Sequence, residues 1–171
     1  TNHSTNQAVN ALKAGLVDFA VVTTPVNLTN DMKSENLCSF NDILIAGPKY
    51  KQLCNKALHL EELQEYPFIS LVEGTGTHDH YTKFFYDNDL HFNLDMEAST
   101  TDQVLAMVQS NLGLGFYPEQ LASEYIMRGE IFPVSLHESV PERDIILIRE
   151  SRHAENIAAK KLINFLKHTT N

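Results

Sequence analysis

Phe68-Ile-Ser-Leu-Val72 is a short, mostly apolar run that opens straight into Glu73-Gly-Thr-Gly-Thr77, and no other junction constrains the chain as much. A run of strand length, then glycines and hydroxyls, then Tyr81, Phe84 and Phe85 at helical spacing, reads as strand, turn and helix. A helix start leaves backbone N–H groups unpaired. Hydroxyls placed there either cap the helix or help hold a small polar or anionic molecule. Ser99-Thr-Thr-Asp-Gln103 repeats the arrangement, with Ser99 and Thr100 each able to cap and Asp102 and Gln103 at the reciprocal positions. Val104, Leu105, Val108 and Leu112 then form an apolar stripe, predicted to stop at Gly113.

Strand-like and helix-like segments alternate through the rest of the chain. Ser4 and Gln7 make a capping box for a first helix, with Val9, Leu12 and Leu16 on its inner face and an exit at Gly15. Phe19-Ala-Val-Val22, closed by Thr23-Thr24-Pro25, and Ile43-Leu-Ile-Ala46, broken by Gly47-Pro48, read as strands buried on both faces of a parallel sheet. A short helix is predicted over Leu58 to Leu63. Phe92, Leu94 and Met96 alternate with polar residues, as in a strand with one wetter face. Leu114 to Tyr117 is a strand stopped by Pro118, Glu119 to Met127 a helix, and Phe132, Val134 and Leu136 alternate again. Asp144 to Arg149 is a last strand, and Ala158, Leu162, Phe165 and Leu166 line a last helix. This alternation predicts an α/β architecture, with ligands at the C-terminal ends of strands.

The chain of 171 residues, 43% hydrophobic, is long enough for one domain or two small lobes. No apolar run approaches the roughly 18 residues of a membrane span, nor is a secretory h-region visible. Cys38 and Cys54 are too far apart for a close metal pair and too few for a disulfide framework, so reduced thiols in a cytoplasmic protein are expected. A net charge of −9 with no Lys/Arg cluster argues against direct contact with nucleic acid.

Catalytic constellations fare poorly. His78 and His80 stand two apart on a helix and point roughly 200° away from each other, so a surface location is preferred to a metal site. No Gly-x-Ser-x-Gly elbow is present. Gly113-x-Gly115 follows a helix instead of opening one, the wrong context for a dinucleotide. Glu61, Glu62 and Glu155 are expected on solvated helix faces. No catalytic residue, metal or cofactor is predicted.

Leu12-Lys-Ala-Gly-Leu-Val-Asp-Phe-Ala-Val-Val22 resembles the L-x-x-G-x-x-D-h-A-h segment, h being apolar, of the effector-binding domain of LysR-type transcriptional regulators. Pro67 to Phe85 is similar to that family's strand, turn and helix. Val108-x-x-Asn-Leu-Gly-Leu-Gly-x-x-Pro118 resembles its V-x-x-G-x-G-h-x-x-h-P stretch, and Arg143 to Ile148 with the last helix completes the order. The resemblance implies a two-lobed α/β fold of the type 2 periplasmic-binding-protein kind with two crossover strands, Ile43 to Ala46 and Ile145 to Ile148. Lobe one would be residues 1–46 plus 144–171, and lobe two 47–143. In the family a strand, a helix and a second strand, together with a winged helix-turn-helix and a linker helix, precede the position of Asn2. Lobe one is therefore expected to be N-terminally incomplete.

The same resemblance implies a small-molecule inducer held in the cleft, a homodimer, and contact with DNA only through the separate helix-turn-helix module, with no membrane partner. The candidate ligand residues are Thr24, Gly74, Thr75, Gly76, Thr77, Ser99, Thr100 and Thr101. The competing reading is that Thr77, Ser99 and Thr100 only cap their own helices, and that Thr23-Thr24-Pro25 is an ordinary strand-ending turn. With no arginine in either motif, a small polar molecule or weak anion is expected. A solute-binding receptor of a transport system shares the fold and is the alternative; an enzyme such as a dehydratase would need an acid or base that the sequence does not supply.

Overall fold

The computed structural model describes residues 4–151 and 156–169; the expectation for Glu155 lies outside them. In chain order the elements are α1 (Thr5–Lys13), β1 (Ala20–Thr23), β2 (Met32–Phe40), β3 (Asp42–Ala46), two 3-10 helices (Pro48–Asn55 and Leu60–Glu65), β4 (Phe68–Leu71), α2 (Gly76–Tyr86), β5 (Met96–Ala98), α3 (Thr101–Gln109), β6 (Leu114–Pro118), α4 (Glu119–Met127), β7 (Phe132–Val134), β8 (Arg143–Glu150) and α5 (Ile157–Thr169). They divide into two compact units, Thr1–Ser39 with Arg143–Asn171, and Phe40–Glu142. The divisions fall earlier in the chain than 46 and 143. Ile43 to Ala46 lies inside the second unit because β3 is bonded on both sides there, to β6 and β7.

In the first unit the strands lie in the order β1-β8-β2. Ser4 caps α1 through the expected box with Gln7, and Gly15 leaves the helix at φ +67°. That exit carries Leu16 off the helix face, so it is 78% exposed, while Val9 and Leu12 are buried with Ala20, Val22, Ile146 and Ile148. The first strand is antiparallel to β8, with Ala20 opposite Ile148 and Thr23 opposite Ile145. It is not a doubly buried parallel strand: Val21 is 42% exposed because only alternate residues meet the α1 side. The last helix is rotated from the expected face. Ala159 and Ile163 are buried and Leu166 half-buried, whereas Ala158, Leu162 and Phe165 are exposed. Both stripes have helical spacing. Asn156 selects one, accepting from the Ala159 N–H at 2.8 Å while its amide donates to Asp18 at 2.8 Å.

The second unit holds a five-stranded sheet in the order β5-β4-β6-β3-β7. Here β4 runs parallel to β5 and β6, and β3 runs antiparallel to β6 and β7. Pleating sends Phe68, Leu114 and Phe116 to one face, where they meet Tyr81, Phe84 and Phe85 of α2, and Ile69 and Tyr117 to the other, with Val104, Leu105 and Val108 of α3. The expected strand around Phe92 and Leu94 begins only at Met96. Both residues still pack against the aromatic core, but the main chain there bonds β4 through Asp95, whose N–H donates to Phe68 O at 3.1 Å and whose carboxylate accepts from Phe68 N–H at 2.9 Å.

The stop of α3 also differs from expectation. Asn111, at φ +63°, makes the left-handed turn instead of Gly113, which leaves Leu112 46% exposed. Gly113 serves a different need: a Cβ there would lie 2.5 Å from the Pro67 carbonyl, where Leu114 N–H bonds that same oxygen at 2.8 Å. Gly113→Ala should therefore cost about 1–3 kcal/mol, read as a lower urea midpoint with unchanged slope.

The 3-10 helix Leu60–Glu65 is clipped to the segment after β7. Glu138 accepts from His59 Nδ1 at 3.0 Å and from Leu60 N–H at 3.1 Å, and the His59 ring stacks on His137 with centroids 4.3 Å apart. Burial pushes the Glu138 carboxyl up, but hydrogen bonds from His59, from its own backbone N–H and from Leu60 outweigh it and hold its pKa below the ordinary value. A carboxylate depressed by folding stabilises above its unfolded pKa of about 4.3 and loses that contribution as pH falls through the lower folded value. Glu138→Gln should lower stability by about 1 kcal/mol at neutral pH, and the difference from the parent protein in urea unfolding should vanish in acid.

Candidate functional site

Parallel pairing decides where the two hydroxyl-rich junctions go. Ile69 is opposite Met96 and Leu71 opposite Ala98, so β4 and β5 end side by side; Phe68 is opposite Leu114, so β6 ends at that edge too. Gly74, Thr75, Gly76 and Thr77 follow the first end, Ser99, Thr100 and Thr101 the second, and Glu119 the third. Helices α2, α3 and α4 thus all start from one edge of one sheet.

The first turn is built by Gly74 and Thr75. Gly74 sits at φ +80°, a conformation that strains any residue with a side chain, and a Cβ there would meet nothing within 4 Å, so the turn faces open space. Thr75 is the N-cap of α2: its hydroxyl accepts from His78 N–H at 3.2 Å and donates to the Val72 carbonyl at 2.8 Å. Thr77 lies one step inside the helix. At the second junction Thr100 caps α3, accepting from Gln103 N–H at 3.3 Å, and the Gln103 side chain accepts from Ser99 N–H at 2.8 Å. Ser99 and Thr100 are exposed and Thr101 is half-buried.

Thr24 belongs to the other unit. Its N–H donates to Asp144 O at 2.9 Å and its hydroxyl accepts from Asp144 N–H at 2.8 Å. Arg143, 5% exposed, donates to the Thr24 carbonyl at 2.9 Å and to the Thr23 hydroxyl at 3.0 Å. The Asp144 carboxylate accepts from Ser39 at 2.6 Å and from Asn36 at 3.1 Å. This network ties the Thr23-Thr24 turn to β2 and β8, the strands through which the chain passes between units. Sequence reading missed it, because Asp144 lies over a hundred positions from Asn36 and Ser39 and the three form no motif.

Tyr117 is a second residue the sequence did not single out. It stands one residue before the end of β6, is 3% exposed, and packs in the cluster containing Val104, Leu105 and Ala122. Burial pushes its phenol pKa above the ordinary value, with the nearby Asp102 carboxylate and the Tyr125 phenol pushing the same way. Elsewhere in this unit, a hollow of about 210 Å³ lined by Gln64, Tyr66, Phe68, Phe85 and Asp95 opens where β4 begins, at the opposite edge. Phe68 and Phe85 in its lining are buried, 3% and 2% exposed, and it presents polar and apolar surface alike. Among the described residues no cluster of three or more His, Cys, Asp or Glu could hold a metal ion, and Cys38 and Cys54 are free thiols.

Known proteins supply independent findings. The family model described as the LysR substrate binding domain matches residues 1–171. The HTH-type transcriptional regulator YwbI of Bacillus subtilis (strain 168) is 27% identical over 107 residues, 63% of this chain and 35% of the relative. The matches to curated regulators cover 24% to 35% of those proteins' lengths. Among solved structures, the Synechocystis PCC6803 CcmR regulatory domain in complex with 2-PG matches at TM-score 0.85 and 15% identity, over 100% of this chain and 81% of that one. The effector-binding domain of QuiR in complex with shikimate matches at TM-score 0.84 and 15% identity, over 98% of this chain and 78% of that one. At such identity the likeness is one of fold. Among the described residues no helix is long and apolar enough to cross a membrane.

The threonine hydroxyls have capping roles that binding would have to share. Thr75→Val and Thr100→Val should each cost about 1 kcal/mol, the ordinary worth of a lost N-cap, measured by chemical denaturation.

Proposed function

Because this chain belongs to the LysR substrate-binding domain family, we propose that it is the small-molecule-sensing part of a LysR-type transcriptional regulator. It has that family's mixed α/β, two-unit fold of the type 2 periplasmic-binding-protein kind, and its curated relatives are transcriptional regulators, not enzymes. The observation that carries the reading is the single edge from which Gly74 to Thr77 and Ser99 to Thr101 both project, facing open space at Gly74. These seven residues are the proposed effector contacts of the second unit, and Thr24 is the candidate contact of the first.

The mechanism asks little of each group. Backbone N–H groups and hydroxyls bind a small polar molecule with modest individual strength, since an intramolecular hydrogen bond nets about 0.5–1.5 kcal/mol and a ligand must also offset its own lost freedom. Thr24 remains able to donate its own proton while its oxygen accepts from Asp144. An effector that engages these groups better in one conformation than in another shifts the population toward it. In the whole regulator a separate DNA-binding module reads that shift, in a dimer of two copies working in the cytoplasm.

Screening small metabolites by thermal shift, with amide chemical shifts to locate each hit, tests the reading. A true effector raises the melting temperature and moves the amides of residues 74–77 and 99–101. Thr75→Val combined with Thr100→Val should remove that stabilisation well beyond the cap loss measured without ligand. Hits that all map away from these turns, for example to the Gln64 and Asp95 hollow, would reject them as the effector site.

A further inference from the structure

The hollow at the start of β4 lies away from the turns at Gly74 and Ser99, and strand pairing explains why it is there. β5 bonds β4 only from Met96, opposite Ile69. Upstream, the segments 64–68 and 91–95 are tied at two points: the Gln64 amide donates to the His91 carbonyl at 3.1 Å, and Phe68 N–H donates to the Asp95 carboxylate at 2.9 Å. Between those ties no hydrogen bond joins the two segments among the described residues. Phe92 and Leu94 pack against the aromatic core instead, and the hollow of about 210 Å³ has residues of both segments in its lining.

Volume sets the size of an occupant. A water takes roughly 30 Å³ in the liquid, and pockets for drug-sized ligands begin at about 300 Å³. The space therefore suits a small molecule.

The lining sets its chemistry. Glu65 and Asp95 bring two carboxylates, and no lysine or arginine lines the hollow. The bond from Phe68 N–H engages one Asp95 oxygen, and the other has no protein donor among the described residues. The second unit carries sixteen Asp and Glu against five Lys and Arg, so the surrounding field also favours a cation. A bare metal ion fits poorly, since no group of three metal ligands forms among the described residues. Tyr66, Phe68 and Phe85 add aromatic surface, which attracts a cation that carries apolar substituents.

We propose that this hollow is a second binding site, for a small organic cation of the ammonium class. It stands independently of the effector contacts proposed above, at the opposite end of β4. Both carboxylates are on exposed residues, so solvent and salt weaken their attraction and the affinity should be about millimolar.

Choline and 3,3-dimethyl-1-butanol share a shape and differ by a quaternary nitrogen against a carbon, so together they read the effect of charge. Added to the 15N-labelled protein at low salt, choline should shift the amides of residues 64–66 and 91–95 saturably, with a midpoint about tenfold below that of the alcohol. Glu65→Gln combined with Asp95→Asn should raise the choline midpoint to that of the alcohol, while asparagine keeps an oxygen that can accept from Phe68 N–H. If the combined variant does not fold, Glu65→Gln alone should raise the choline midpoint about threefold. Three results would each overturn the site: no saturable shift at these amides, equal midpoints for the two probes, or a choline midpoint that the substitutions leave unchanged.

Discussion

The parallel pairing of β4 with β5 on one side and β6 on the other is the constraint on which the second unit depends. Parallel strands must each be followed by a crossover, and a crossover helix starts where its strand ends. Three helix starts are thereby placed on one edge without any contact among the turns themselves. Gly115 shows how tightly the arrangement is held: a Cβ at that position would lie 2.8 Å from Val104 Cγ1 and 3.2 Å from the Ile69 carbonyl, so α3 and β4 close on β6 over a bare backbone.

Capping and charge then give that edge its chemistry. Thr75 and Thr100 spend hydroxyl hydrogen bonds on their own helices, which lowers what they can offer a ligand but fixes the orientation in which it is offered. The first-turn acids stabilise the same helices by facing the positive end of the dipole. Features that make these helices start well therefore also place carboxylates along that edge. In the first unit a different device serves the corresponding turn: Asp144 and Arg143 hold Thr23 and Thr24 through side-chain and main-chain bonds at the beginning of β8.

Much of the local structure was legible in order along the chain. The capping box at Ser4, the buried Tyr81, Phe84 and Phe85 stripe, and the start of α4 after Pro118 follow from a cap, from periodicity and from a strand-stopping proline, which are properties of neighbouring residues. Failures came where two local patterns were equally good. On α5 the stripes containing Ala158 and Ala159 have the same spacing, and a bond from Asn156 to Asp18, far away in sequence, chose between them. Phe19 to Val22 reads as a doubly buried strand because apolar content does not reveal how many faces are covered, and Val21 meets solvent. Gly113 and Asn111 can each end a helix, and the near contact with Pro67 assigned them different tasks.

The sequence by itself determined which residues start helices, which run as strands, and the ordered set of motifs that marks the family, because each depends on groups a few bonds apart. Tertiary structure alone decided that β3 is antiparallel within the second unit, that the Gly74 and Ser99 turns share an edge with Tyr117, and that Arg143 and Asp144 grip Thr24. Strand direction and register are settled by which hydrogen-bonded partners bury the most side-chain surface together, a comparison over the whole chain that no single segment encodes.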